Sequence, residues 1–333
     1  MSSHTTRLSR TLGALLGVHT GDSLGATLEF LPWSQIFRTY PTGLREIVGG
    51  GTLDWPVGAA TDDTDLTRAV VLAYRDYEES TEQEKEQFDV AKAAAEYSLK
   101  WNEGDWPRRK PGSRPIDIGN ATRVGLQQYK RSRNPATSGA GIGSAGNGSL
   151  MRCIPTALFV SKDRIRKESV AISQFTHNDP RCTVSCAAYN EIVAALIDGN
   201  TPLEAVQIGK AVASELDCPR VLDAITEGST LPLAEMATQG PRASLVGSTS
   251  GYVLNSLRLA IAAVLDSRSF EDVLVDVVRL GGDSDTNGAI AGGLLGARDG
   301  VEGIPERWLD KLQFRGEFED LVRKILGLQE NKG

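Results

Sequence analysis

The chain has few of the residues on which most metal and redox motifs depend. Its 333 residues include only three histidines and four cysteines, and no two cysteines have the CxxC spacing. A histidine-rich zinc site and an HExxH metalloprotease helix are therefore excluded. We expect reduced, buried thiols of the kind found in cytoplasmic or nuclear proteins at Cys153, Cys182, Cys186 and Cys218.

Long apolar runs and an excess of basic charge are also missing. No apolar run reaches about 18 residues, so neither a transmembrane helix nor a membrane partner is expected. The net charge is −7 at pH 7, which disfavours direct nucleic-acid binding, because phosphate neutralisation supplies most of that affinity. With 40% hydrophobic residues, the chain is too apolar for disorder. We expect a monomeric, cytoplasmic protein with a single domain over 1–333 and an ordered core at about 6–328.

Alternating strand patterns are rare, and apolar residues recur with a period near 3.6, which is typical of helices. Only residues 44–54 suggest a short hairpin, and no alternation of strands and helices is visible. The predicted class is therefore mostly α. The predicted helices lie at 6–20, 64–79, 84–101, 119–130, 164–175, 182–198, 202–214, 252–266, 270–280, 286–298 and 305–326.

Glycine, in contrast, is abundant, with 35 residues. Two predicted helical segments carry a glycine at every fourth position, and a spacing of four places these residues on one stripe of a helix. Glycine costs up to about 1 kcal/mol relative to alanine inside a helix, so the repetition indicates close packing or the approach of a ligand. Glycine-rich loops are the alternative. The two series are Gly13, Gly17, Gly21 and Gly25, and Gly288, Gly292 and Gly296.

Two acidic segments each precede a predicted helix: Thr61-Asp62-Asp63-Thr64-Asp65 and Gly281-Gly282-Asp283-Ser284-Asp285-Thr286. The simpler interpretation is a capped helix start, with Thr61 or Asp62 as the N-cap of the first helix, since a helix N-terminus favours one or two acids. Three carboxylates within four residues repel one another unless a cation lies between them. Oxygen-only ligand sets suit hard cations such as Mg²⁺ and Mn²⁺, so the two segments together form a hypothetical site for two metal ions.

A third cluster is the glycine loop over 139–149. It contains a GxGxxG match, but no predicted strand precedes it and no GK(S/T) follows, so neither a Rossmann turn nor a P-loop is predicted. Free backbone N–H groups ahead of an apolar segment can still cradle a phosphate. A flexible surface loop is the alternative, and the adjoining Asn147, Ser149 and Arg152 favour anion binding.

Taken together, these motifs resemble the ADP-ribosylglycohydrolase family. The matching segments follow the family's order and are Gly21–Gly25 with Glu29, Thr61–Thr64, Gly146–Arg152, Thr176–His177 and Gly281–Asn287. The resemblance implies an all-α fold, a compact orthogonal bundle of a dozen or more helices around a central dinuclear metal cleft. It also implies two divalent ions, Mg²⁺ or Mn²⁺, and a substrate that contains ADP-ribose.

The resemblance assigns roles to the residues at the matching positions. The implied metal ligands are Thr61, Asp62, Asp63, Asp283, Asp285 and Thr286. The implied substrate-binding residues are Gly146, Asn147, Gly148, Ser149, Met151, His177 and Tyr252. The implied catalytic carboxylates are Glu29, Asp283 and Asp285. Substrate selection is expected to lie in 32–55 and 101–115.

The implied function is that of a metal-dependent hydrolase. It would cleave the C1″ glycosidic linkage of an ADP-ribosylated protein or of a small ADP-ribose conjugate. The ions would orient the ribose hydroxyls, and one of the catalytic carboxylates would activate the attacking water. Two alternatives stay open: a dinuclear-metal phosphatase acting on ADP-ribose 1″-phosphate, and a non-catalytic module that binds ADP-ribose.

Overall fold

The protein is helical throughout the part that the structure describes. The computed structural model describes residues 3–241 and 250–328, where it has 18 α-helices and no β-strand, so the predicted all-α class is confirmed. No helix in these two ranges is long and apolar enough to cross a membrane. The helices are α1 (Ser3–Gly25), α2 (Trp33–Thr39), α3 (Asp62–Glu79), α4 (Glu82–Lys85), α5 (Val90–Asn102), α6 (Asn120–Ser132), α7 (Pro135–Ser138), α8 (Pro155–Phe159), α9 (Ile165–Gln174), α10 (Pro180–Ile197), α11 (Pro202–Glu215), α12 (Pro219–Gly228), α13 (Leu233–Gln239), α14 (Val253–Leu265), α15 (Phe270–Arg279), α16 (Ser284–Asp299), α17 (Glu306–Leu309) and α18 (Arg315–Ile325).

Three of the sequence predictions differ from the structure in informative ways. The helix predicted at 84–101 is divided into α4 and α5, because Asp89 caps the start of a new helix. The helix predicted at 305–326 is broken into α17 and α18, because backbone N–H groups in the break bond elsewhere. The amide of Gln313 donates to the carbonyl of Gly58 at 3.0 Å, and that of Phe314 donates to Nε2 of His19 at 3.3 Å. The prediction of a hairpin at 44–54 is wrong, since the described residues there form no strand.

The segment predicted as a hairpin instead forms a turn with one bridging residue pair. Gly50 and Trp55 exchange two backbone hydrogen bonds of 2.7 and 2.8 Å, and no strand extends from them. Gly49, Gly50 and Gly51 have φ values of 68°, 75° and 74°, a left-handed conformation that glycine adopts without strain. Three successive left-handed residues turn the chain instead of extending it.

Helices α1 and α16 pack backbone to backbone in an antiparallel pair. A Cβ atom on Gly17 would lie 2.2 Å from the carbonyl oxygen of Gly292, and one on Gly21 would lie 2.0 Å from that of Gly288. These distances leave no room for any side chain. The packing explanation of the two glycine series is therefore confirmed.

This contact also places the acidic ends of the two helices side by side. Gly25, the last residue of α1, faces Ser284, the first residue of α16, and the Ser284 hydroxyl donates to the Gly25 carbonyl at 2.8 Å. The segment that follows α1 carries Glu29, and the first turn of α16 carries Asp285. The glycine contact thus determines how these two carboxylates lie relative to each other.

A carboxylate of α1 connects this pair to the start of α3. Thr61, one of the two predicted capping positions, is the N-cap of α3. Its hydroxyl accepts from the amide N–H of Asp63 at 3.3 Å. Asp22 of α1 accepts from the backbone N–H groups of Thr61 and Thr64 at 3.1 and 3.2 Å. A negative charge at a helix N-terminus satisfies otherwise unpaired N–H groups and interacts favourably with the helix dipole. Asp22 therefore brings the acidic start of α3 beside α1 and α16.

We predict that alanine in the glycine contact destabilises the protein. In Gly17→Ala the new methyl group meets backbone that cannot move aside, so the free energy of unfolding should fall by at least about 2 kcal/mol, despite the better helix propensity of alanine. Urea unfolding followed by circular dichroism measures the effect.

The matched control for this prediction is Gly316→Ala. Gly316 lies in α18 and is exposed, and a Cβ atom placed there would have no heavy atom within 4 Å. This variant should be neutral or up to about 1 kcal/mol more stable. Equal effects at the two positions would contradict the packing role.

Candidate active site

Seven acidic side chains converge where α1, α3 and α16 meet. Five are buried, and the other two are partly buried at the edge of a cleft. We call them the acidic cluster, which consists of Asp22, Glu29, Asp62, Asp63, Asp117, Asp283 and Asp285.

The structure brings together the two acidic segments predicted from the sequence. Oδ2 of Asp63 accepts hydrogen bonds from the hydroxyls of Thr61 and Thr286, both at 3.2 Å. Thr286 belongs to the second segment, 223 positions farther along the chain. The carboxylate of Asp63 therefore lies between both predicted ligand sets, which is the arrangement that a shared metal site requires.

Asp117 is a site residue that the sequence analysis missed. It lies in the connection between α5 and α6, and its carboxylate is close to those of Glu29 and Asp285. One oxygen from each of the three lies within 4.8 Å of the others. No motif marks Asp117, a single acid between two isoleucines, so no sequence signal would have found it.

The acidic cluster has the properties of a cation site. Three of its buried oxygens have no hydrogen-bond partner in the described part of the chain: Asp22 Oδ1, Glu29 Oε2 and Asp63 Oδ1. A buried acceptor without a partner costs about 1–3 kcal/mol. Burial, followed by the charges of neighbouring carboxylates, raises the pKa of Asp62, Asp63 and Asp285 well above the usual range. A hard divalent cation would supply the missing partner and the missing positive charge, so these residues fit one.

A cavity of about 790 Å³ opens over the acidic cluster. This volume is within the range typical of small-molecule sites and is sufficient for a nucleotide-sized ligand. Four carboxylates form one part of its wall, and the glycine loop forms another. The predicted site residues among its lining are Glu29, Asp62, Gly146, Asn147, Gly148, Met151, His177, Asp283 and Thr286.

The glycine loop is joined directly to the acidic cluster. Nδ2 of Asn147 donates to Oδ2 of Asp283 at 2.5 Å. The backbone N–H groups of Gly146, Gly148 and Ser149 have no acceptor within the described ranges. An anion held by these donors would lie next to the carboxylates, so the two parts of the cavity can bind the two ends of one ligand.

Two predicted substrate-binding side chains do not line this cavity. The hydroxyl of Ser149 is fully buried and accepts from Ser173 at 2.9 Å, on the side of α9 and α10. Tyr252 pairs with Gly146 through its backbone, while its ring lies 5.7 Å from the guanidinium of Arg181. A direct substrate contact by either side chain stays a prediction.

A smaller cavity of about 130 Å³ adjoins the larger one and shares Asp62 and Asp117 with it. Trp55, Trp101 and several prolines form its walls. Asp65 accepts from the indole N–H groups of Trp101 and Trp106 at 2.9 and 2.7 Å, which attaches the 101–115 segment to α3. The segment expected to select the substrate therefore forms a wall beside the carboxylates.

The chain is similar to proteins of one known family along nearly its whole length. The family described as ADP-ribosylglycohydrolase has a model that matches residues 3–333. The chain is 32% identical to the ADP-ribosyl-[dinitrogen reductase] glycohydrolase of Rhodospirillum rubrum, over 93% of the chain and 92% of that protein. It is 31% identical to the ADP-ribosylarginine hydrolase Tri1 of Pseudomonas putida, over 96% of the chain and 78% of that protein. A solved structure of an ADP-ribosylglycohydrolase-related protein complex has a TM-score of 0.77 at 28% identity and covers 97% of this chain and 99% of its own.

We predict that the cation-free protein loses stability as the pH rises above neutrality. Burial raises the pKa of Asp65 to about 7 and that of Glu29 to about 8, above their values in the unfolded chain. Such groups bind more protons in the folded state, so the stability they contribute at low pH is lost as the pH rises through the folded pKa.

The test compares melting temperatures between about pH 7 and pH 8.5, with a chelator and with Mg²⁺. Burial lowers the pKa of His19 to about 4 and of His177 to about 3, and their opposing contribution lies below their usual value of 6.5, outside this window. With chelator the melting temperature should fall, and Mg²⁺ should reduce the fall. A flat or rising profile with chelator would contradict the prediction.

Proposed function

Since the chain belongs to the ADP-ribosylglycohydrolase family, we propose that this ADP-ribosyl hydrolase removes ADP-ribose from arginine side chains of proteins, using two divalent ions held by the acidic cluster. Its substrate contains ADP-ribose, and the family is metal-dependent. The observation that carries the proposal is the convergence of the acidic cluster and the free amides of the glycine loop on one cavity. The arginine linkage is supported by the relative named as an ADP-ribosylarginine hydrolase.

Each part of the cavity has a different task in this proposal. The amides of Gly146, Gly148 and Ser149 bind the diphosphate, because backbone donors suit an anion. The Asn147–Asp283 hydrogen bond holds the glycine loop against the acidic cluster. This proximity supports a binding mode in which the distal ribose lies beside the carboxylates. The arginine side chain enters the smaller cavity, which shares Asp62 and Asp117 with the larger one. The scissile linkage thus lies at the boundary between the two cavities.

The residues that would hold the ions are those of the two acidic segments: Thr61, Asp62, Asp63, Asp283, Asp285 and Thr286. When bound, Mg²⁺ or Mn²⁺ would orient the ribose hydroxyls and polarise the scissile linkage. The ligand set consists of carboxylate and hydroxyl oxygens, the donors that these ions prefer.

The carboxylates themselves carry the proton transfer and the charge stabilisation. Burial and the neighbouring Asp117, Asp283 and Asp22 raise the pKa of Glu29 to about 8. A group with a pKa near neutrality both accepts and releases a proton efficiently. Glu29 therefore takes the proton of the water that attacks C1″ and passes it to the arginine nitrogen that leaves as the C1″–N bond breaks. Neighbouring carboxylates stabilise the positive charge that develops on the ribose as the linkage breaks.

We predict that Asp285→Asn loses both cation binding and turnover. The substitution removes a charge from the centre of the proposed ligand set, so turnover should fall on the order of 100-fold or more. Release of ADP-ribose from an ADP-ribosylated protein measures turnover, and calorimetric titration with Mn²⁺ measures binding. Asp223→Asn, the same change at an exposed position of α12, is the control and should leave both values unchanged. Unchanged turnover in Asp285→Asn would refute the assignment of the site.

We predict that the ADP-ribosyl arginine linkage is the preferred substrate. Purified protein with Mg²⁺ or Mn²⁺ is incubated with ADP-ribosyl arginine, ADP-ribosyl serine, O-acetyl-ADP-ribose and ADP-ribose 1″-phosphate, and released ADP-ribose and phosphate are measured. Fastest release from the arginine conjugate is the expected result. Faster release from another linkage would refute the arginine assignment, phosphate release would favour the phosphatase, and binding without turnover would favour the binding module.

A further inference from the structure

A fully buried arginine lies beneath the glycine loop without a carboxylate partner. Arg152 is 0% exposed, and each hydrogen-bond partner of its guanidinium in the part of the chain that the structure describes is a carbonyl or a hydroxyl oxygen. One terminal nitrogen of the guanidinium donates to the carbonyl of Gly148, and the other terminal nitrogen donates to the Ile172 carbonyl at 3.0 Å and to Oγ1 of Thr176 at 2.7 Å. Its Nε has no partner among the described residues. Burying an unpaired charge is costly, so this arrangement needs an explanation beyond packing.

The hydrogen bond to Thr176 determines where the threonine proton lies. A guanidinium can only donate, so Oγ1 of Thr176 accepts from Arg152. The other partner of this hydroxyl is Nδ1 of His177 at 2.8 Å. If Nδ1 carried a proton, the buried threonine proton would have no acceptor among the described residues, at a cost of about 1–3 kcal/mol. Thr176 therefore donates, and Nδ1 of His177 is unprotonated.

The same surroundings keep the imidazole of His177 neutral. Burial and the charge of Arg152 lower its pKa to about 3. A neutral imidazole with a bare Nδ1 carries its proton on Nε2. Nε2 faces the glycine loop, because Cβ atoms added to Gly146 and Gly148 would lie 3.3 and 3.4 Å from it. The absence of side chains at these two positions leaves room for a ligand in front of an N–H donor.

We propose that Arg152 and Thr176 are positioning residues that hold His177 as a neutral Nε2–H donor to an acceptor oxygen of the bound nucleotide. The opposite tautomer would direct a lone pair at that oxygen and repel it. We call the hydrogen-bonded series of Arg152, Thr176 and His177 the relay. The relay therefore selects ligands that present an accepting phosphate or hydroxyl oxygen at this point of the cavity. The nature of the ligand rests on the proposed function, whereas the tautomer is a property of the free protein.

The test measures the tautomer of His177 in the full-length protein. Nitrogen-15 chemical shifts of labelled histidine rings distinguish a protonated from a bare Nδ1, and His177→Gln identifies the signals of this ring. We expect a bare Nδ1 in the natural protein and in Thr176→Ser, which keeps the hydroxyl. In Thr176→Val the hydroxyl is lost, and the Nδ1-protonated form should appear. A protonated Nδ1 in the natural protein, or an unchanged tautomer in Thr176→Val, would overturn the proposal.

Calorimetric titration with ADP-ribose in the presence of Mg²⁺ gives the second readout. Thr176→Val should weaken binding about tenfold or more, whereas Thr176→Ser should restore most of the affinity. Thr11→Val is the matched control, since its buried hydroxyl lies in α1 and has no partner among the described residues. This control should change neither the tautomer nor the affinity. A changed tautomer with unchanged affinity would refute the ligand contact, and no binding of ADP-ribose by the natural protein would refute the proposed function while the tautomer result stands.

Discussion

The backbone contact between α1 and α16 sets the geometry of the whole site. Glycines on both helices leave no side chain between them, so the relative position of the two backbones is fixed by van der Waals contact with atoms that cannot rotate away. The contact ends at Gly25 and Ser284, where the chain on either side carries carboxylates. Asp22 then attaches the start of α3 to the same place. Three helix ends are thereby held together by backbone contact and by helix capping, in which Asp22 is the one acid of the cluster that takes part.

This construction explains how the protein holds seven acidic groups in one small region. Mutual repulsion and burial both oppose the arrangement, as the raised pKa values of Asp62, Asp63 and Asp285 show. The surrounding helices must therefore hold the carboxylates at a distance that unrestrained side chains would not keep. Beneath the glycine loop the buried charge is positive instead of negative, because Arg152 lies there without a carboxylate partner. The cavity thus has a negative part that suits cations and the ribose, and a donor-rich part that suits phosphate oxygens.

Those parts of the site that depend on local sequence were predictable. Thr61 as a helix cap, the two acidic segments and the glycine loop are all marked by neighbouring residues, because capping, charge repulsion and backbone freedom act over a few positions. Asp117 was not predictable, since its proximity to Glu29 and Asp285 arises only in the folded chain. The break between α17 and α18 is similar: Gln313 and Phe314 give their amides to distant partners, which helical periodicity does not reveal.

Short stretches of sequence were enough to establish the helical class, the face on which each glycine series lies, and the chemistry of the residues that form the site. These follow from periodicity, conformational freedom and ligand type, which are properties of neighbouring residues. The packing of the helices determined which segments lie next to one another. It placed Asp63 between Thr61 and Thr286, turned the Ser149 hydroxyl away from the cavity, and aligned Arg152, Thr176 and His177 in one relay. Packing has this role because hydrogen-bond direction and charge proximity depend on atoms that belong to distant parts of the chain.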